Sequence, residues 1–305
     1  MSAIKQKIFN SVSSTNEEFK FPQDDEDRIQ RLRLRWETAI NMILAALRNS
    51  HSHSHSSTPS SMDDVIAAWF QKLTTMHSDD QRHYHTLCHL EEMFEFVDLL
   101  IDHEFEASKL NLDERDSTSS TTEMETYKAI VDLSVFFHDS VYNAKSGTNE
   151  EDSAKLFQQF VAELTRSQNN EWWGFKTVDK FIIATKTHIL DGADSTKAER
   201  LFLQIFLDAD MAVLGKEPKA YEHYASLIRL EYSHVPHEVY CEKRAEILAS
   251  FIGTVKNNAE EEGEAPKTIY LTNSMRAALE ERAIFNLQQE ITSLKSGVIP
   301  QGSEK

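Results

Sequence analysis

The stretch METYKAIVDLSVFFHDSVY, Met124 to Tyr142, carries the reading of the fold. Met124, Tyr127, Ile130, Val131, Ser134 and Phe137 recur at intervals of three and four, the period of a helix. The run then closes on an adjacent pair, His138 and Asp139, both of them metal-ligating side chains. Outward from this stretch the same spacing returns. Ile29, Leu32, Trp36, Ile40, Ile43 and Leu47 keep it, and so do Val178, Phe181, Ile182, Thr185 and Ile189. Only 8 Gly and 6 Pro occur in 305 residues, so few reversals need special dihedrals. No alternating strand pattern and no internal repeat stands out. The expectation is an all-α protein of nine or ten helices. Asn149 followed by Glu150, Glu151 and Asp152 reads as a capped helix start. Ser274 reads as the opening of the last helix.

One helical domain over 26–294 accounts for this pattern, with frayed ends at 1–25 and 295–305. Three polar segments interrupt it as surface insertions: 49–61, 110–125 and 256–267. The first, NSHSHSHSSTPSS, holds three histidines among serines and a proline, and reads as a flexible loop before it reads as a metal site. Trp69, Phe70, Trp172 and Trp173 read as packing aromatics.

Composition narrows the function. Hydrophobic residues make up 40% of the chain, enough for a real core, and the net charge is −18. No basic stripe suits a nucleic-acid duplex, and the acidity disfavours an anionic membrane. Cys88 and Cys241 lack zinc or redox spacing. No apolar run is long enough to span a bilayer, and the N-terminal residues lack the apolar segment of a signal peptide. A cytoplasmic protein is expected. A small anionic substrate stays open, because a metal can invert the field of a pocket.

The chemistry gathers in a few places. RHYHTLCHL holds Arg82, His83, Tyr84, His85 and His89; His138 and Asp139 follow; His188 lies in ATKTHI; Asp208 and Asp210 sit in the apolar run FLDADMAVLG. Two carboxylates in such a run are costly to bury alone, and a divalent cation keeps them ionised. Each piece also has a plain reading. His85 and His89 at i,i+4 suit an ordinary helix pair, and Asp208 and Asp210 suit a cap or turn. The ordered set is the stronger signal. Imidazole with carboxylate suits Mn, Fe, Co, Ni or Zn, and Mg less well.

His89, then His138-Asp139, then Asp210 resembles the H…HD…D pattern of the HD-domain superfamily. The blocks RHYHTLCHL, FFHDSVYN, NEEDSA, ATKTH, FLDADMAVLG and YASLIRLEYSHV resemble, in order, a branch of predicted metal-dependent HD phosphohydrolases. They cover most of 69–251, with weaker similarity to about residue 290. The resemblance implies an HD-type helical domain in which His89, His138, Asp139 and Asp210 hold one divalent metal. Asp210 is preferred to Asp208 because the second Asp of DAD motifs usually ligates in that superfamily. Asp208 then orients a ligand or a water, and the two assignments can be exchanged.

The activity implied is hydrolysis of a small phosphate ester or anhydride, a nucleotide among the options. Asp139 or Asp208 would orient or deprotonate the water. Arg82 would offer a fork to the phosphate. His188 would be a phosphate contact, a general acid or a ligand of a second metal. Glu150 would pair with Arg82 or anchor a substrate hydroxyl, or simply favour its helix dipole. Tyr84, His85, Arg229 and Glu231 are candidate lining, and an ion pair on a neighbouring helix serves Arg229 equally well. His103, His223, His234 and His237 read as surface or capping residues. Two rival readings stand beside this one. A dinuclear iron oxygenase on the same scaffold would need two further histidines between Asp139 and the last Asp, where His188 stands alone. A non-catalytic nucleotide- or partner-binding module would keep the helices and lose a ligand, and all four ligand types are present.

Overall fold

The computed structural model describes residues 3–13, 25–50, 59–109, 117–166, 172–190, 195–252 and 268–299. Eleven α-helices and no strand are found among them, as an all-α reading requires. The chain divides into two compact units. One comprises 20–207; the other joins 1–19 to 208–305.

The first unit holds α2 (Asp25–Ser50), α3 (Pro59–His77), α4 (Leu87–Lys109), α5 (Ser117–Phe137), α6 (Asn149–Thr165), α7 (Trp173–Ala184) and the body of α8 (Lys197–Asp210). Its central helix is α5, which packs against α2, α4, α6 and α7. Every residue from Ala129 to His138 is buried, because neighbours surround the helix. On α2 the expected stripe holds: Leu32, Trp36, Ile40 and Ile43 are buried. Trp36 donates its indole N–H to the carbonyl of Ile66 and sets its ring 5.3 Å from Phe136 and 5.1 Å from Phe160. Trp69, Phe70 and Trp172 are buried as well, whereas Trp173 keeps 43% of its surface exposed.

Several boundaries differ from the sequence reading. Helix α7 stops at Ala184, so Ile189 lies beyond it and is 52% exposed; His188 at φ 53° turns the chain out of the helix. Asn149 is the first residue of α6 rather than its cap. Its amide instead exchanges two hydrogen bonds with the backbone of Asn143.

The second unit holds α1 (Ala3–Ser13), the last residues of α8, a 3-10 turn at Met211–Gly215, α9 (Pro218–Glu231), α10 (His237–Ile252) and α11 (Asn273–Lys295). Helix α11 packs against α10, α1 and the 3-10 turn. Gly215 permits that approach, since a Cβ there would lie 2.7 Å from both Leu279 Cβ and Tyr270 Oη. Thr272 caps α11 and accepts from the Met275 N–H, one residue or more before the start read at Ser274. Within the expected frayed terminus α1 is helical, and its Ile8 is buried. Likewise α2 runs to Ser50 and α5 starts at Ser117, inside the expected insertions. Residues 14–24, 51–58, 110–116, 256–267 and 300–305, where further calls on ends and insertions fall, lie outside the described residues.

Candidate metal centre

Helix α5 ends at Phe137, and the turn after it is built by its own side chains. The Ser140 N–H and Oγ–H both donate to the Phe137 carbonyl. Ser153, buried on α6, accepts from the Val141 N–H and donates back to the Val141 carbonyl. These bonds hold His138 and Asp139 at the mouth of the apolar run. Helix α4 supplies His89 from its first turn. Ligand atoms of His89, His138 and Asp139 all lie within 4.8 Å of one another, and they form the one such group of three found among the described residues.

The imidazole of His138 is 1% exposed and is oriented from behind. Its Nδ1 lies 2.9 Å from the Val135 carbonyl, and a carbonyl only accepts, so Nδ1 carries the proton. Nε2 then faces Asp139 Oδ2 at 3.0 Å. In the neutral ring that contact sets a lone pair against a carboxylate. It is favourable only with a proton or another cation at that edge. His85, in the turn before α4, brings its Nε2 to 3.9 Å from the same carboxylate oxygen. Its ring stacks on Tyr142 at 4.3 Å. Tyr84 packs its ring 4.8 Å from that of His89.

Arg82 is buried, 8% exposed, and its guanidinium meets the backbone of both segments. Nη1 donates to the carbonyls of Asp139 at 2.6 Å and His85 at 3.2 Å; Nη2 donates to that of Ser140 at 2.8 Å. Nη1 also lies 3.3 Å from Nδ1 of His77, which must be the acceptor there. Desolvation above all, then the charges of Arg82 and His138, push the His77 imidazolium down to about 3, so the ring is neutral. His77 and Tyr142 were not singled out from sequence. The signal for His77 existed: Phe70, Leu73 and His77 continue one buried stripe of α3. Tyr142 carried none.

The other expected site residues are each described within their own unit. Asp210 belongs to the second unit and ends α8. Asp208, in the same unit, is 1% exposed. It accepts from the Leu271 N–H at 2.6 Å, the Thr272 N–H at 2.8 Å and the Thr272 hydroxyl at 2.7 Å. Burial pushes it up to about 7 against the pull of these donors. Its oxygens fasten the start of α11. Arg229 donates to the carbonyls of Tyr232 and Val235 and lies over the Tyr240 ring, closing the end of α9; no acid takes part in these contacts. Glu231 is buried in the last turn of that helix. Glu150 lies in the first turn of α6, where its neighbour Glu151 pairs with Lys186. His188 stands in the turn after α7.

No helix among the described residues is long and apolar enough to cross a membrane. Comparison with family models, with curated proteins and with solved structures gives no match.

Proposed function

We propose that this protein is a divalent-metal-dependent phosphohydrolase acting on a small phosphate ester or anhydride. One observation carries the reading. Two imidazoles and a carboxylate from separate segments converge, and the His138 edge that faces Asp139 is the unprotonated one in the neutral ring. This donor set suits a borderline divalent ion. His89, His138 and Asp139 would hold it. A bound ion there supplies a Lewis acid for a phosphoryl oxygen and acidifies water.

The chain's own groups do the rest. The Val135 carbonyl fixes the tautomer of His138. Asp139 offers an oxygen that can orient a water. His85, half-buried and stacked on Tyr142, holds Nε2 where a proton can be carried to or from that oxygen. Asp208 takes no part in this scheme, since its three donors already engage both oxygens.

The test is phosphate release from a panel of nucleotides and simple phosphoesters by the full chain with added Mn²⁺. Release is expected, and His138→Ala and Asp139→Ala should each abolish it. Absence of release across the panel, or two irons per chain with oxygen consumption, would overturn the hydrolase in favour of another activity.

A further inference from the structure

We propose that Arg82 is a positioning residue of this centre: its buried guanidinium ties the turn before α4 to the turn after α5 and so fixes Asp139 relative to His85 and His89. The inference rests on the metal-site reading above and assigns the residue a task other than phosphate capture.

The geometry argues for a brace. Arg82 and Asp139 are 57 residues apart in sequence, and the two terminal nitrogens of one side chain join their segments. Its acceptors are the carbonyls of His85, Asp139 and Ser140 and the neutral ring of His77. A buried charge needs such partners, because desolvation is expensive unless hydrogen bonds replace water. The turn after α5 supplies two of them, the carbonyls of Asp139 and Ser140, and the segment before α4 a third, that of His85. The planar fork of arginine reaches two successive carbonyls from two nitrogens held in fixed geometry, where a lysine offers a single nitrogen.

The choice of atoms matters most. Arg82 takes the backbone carbonyl of Asp139 and leaves its carboxylate directed at His138 and His85. The peptide is held while the side chain keeps its charge for the imidazole side. A guanidinium on the carboxylate itself would compete with a cation. To grip a phosphate, the fork would have to abandon its carbonyl acceptors.

The experiment is calorimetric titration of the metal-free full chain with Mn²⁺, for wild type, Arg82→Ala and Arg82→Lys, with urea unfolding of each in the absence of metal. Outer groups that orient ligands typically change metal affinity by roughly 10- to 100-fold. A loss in that range is expected for Arg82→Ala, with Arg82→Lys between it and wild type. Wild-type affinity in Arg82→Ala, whether stability falls or inorganic phosphate binding is lost, would overturn the inference. If Arg82→Ala does not fold, Arg82→Lys decides alone: undiminished affinity overturns the brace. Failure of the wild type itself to bind Mn²⁺ would instead bring down the metal-site reading, and the positioning role with it.

Discussion

Asp132 and Asp139 lie two helical turns apart along one stretch of chain, and they are answered in opposite ways. Asp132, 3% exposed, receives the Nη2 and Nε of Arg35 from α2 at 2.7 and 3.0 Å. The same guanidinium grips Asp98 of α4 in a two-pronged contact at 2.6 and 2.9 Å, and Lys128 joins Asp98 at 2.6 Å. That acid already has its cation and serves to join three helices. Asp139 has an arginine nearby too, but Arg82 takes its carbonyl and the carboxylate turns to imidazoles. An arginine on the carboxylate makes a structural pair; an arginine on the backbone leaves a carboxylate fit to share a metal.

Substitutions can break or sharpen this contrast. The largest effect belongs to Arg35→Ala, which leaves Asp132 buried without its guanidinium. A loss of about 3–5 kcal/mol is expected in urea unfolding, the usual cost of uncompensating a buried charge. A loss below about 1 kcal/mol would mean that Asp132 is held by something else. Next comes Asp208→Ala, which strands two amides and a hydroxyl at the start of α11. Roughly 2–4 kcal/mol should be lost, with metal content unchanged; loss of metal would return Asp208 to the site.

The smallest effect concerns Asp179 on α7, an acid with neither a cation nor a full set of donors among the described residues. Gln158 donates to its Oδ2 at 3.2 Å, and the buried Oδ1 has no hydrogen-bond donor among the described residues. Burial raises it from 3.8 to about 6, so the folded chain keeps a proton that the unfolded chain has already released. Its stabilising contribution is therefore present below the lower value and lost as pH rises through the higher one. Asp179→Asn cannot titrate. Between pH 4 and 7 the wild type should lose stability relative to this variant, as urea midpoints would register; parallel pH profiles would contradict the assignment.

Much of the helical frame was legible, because periodicity reports burial directly. Leu32, Trp36, Ile40 and Ile43 are the stripe that the spacing named. What spacing cannot report is how many neighbours a helix has; α5 is buried on all sides from Ala129 to His138. The three clustered residues were legible as residue types in order. The direction of a side chain was not. Arg82 was read as a phosphate fork, Arg229 as pocket lining or an ion pair, and Asp208 as orienting a ligand or water or serving a cap or turn; each spends polar atoms on backbone groups brought near by folding. His77 shows the converse: a histidine that continues an apolar stripe was passed over, although burial made it a partner of Arg82.

The central claim is that the His89–His138–Asp139 group is a metal site. The most direct measurement is metal content per chain after reloading with Mn²⁺ and exhaustive dialysis, in protein carrying His51→Ala, His53→Ala and His55→Ala so that the serine-histidine run contributes nothing. About one ion per chain, absent from Asp139→Ala, is the predicted result. No ion in either protein, or the same content in both, would contradict it.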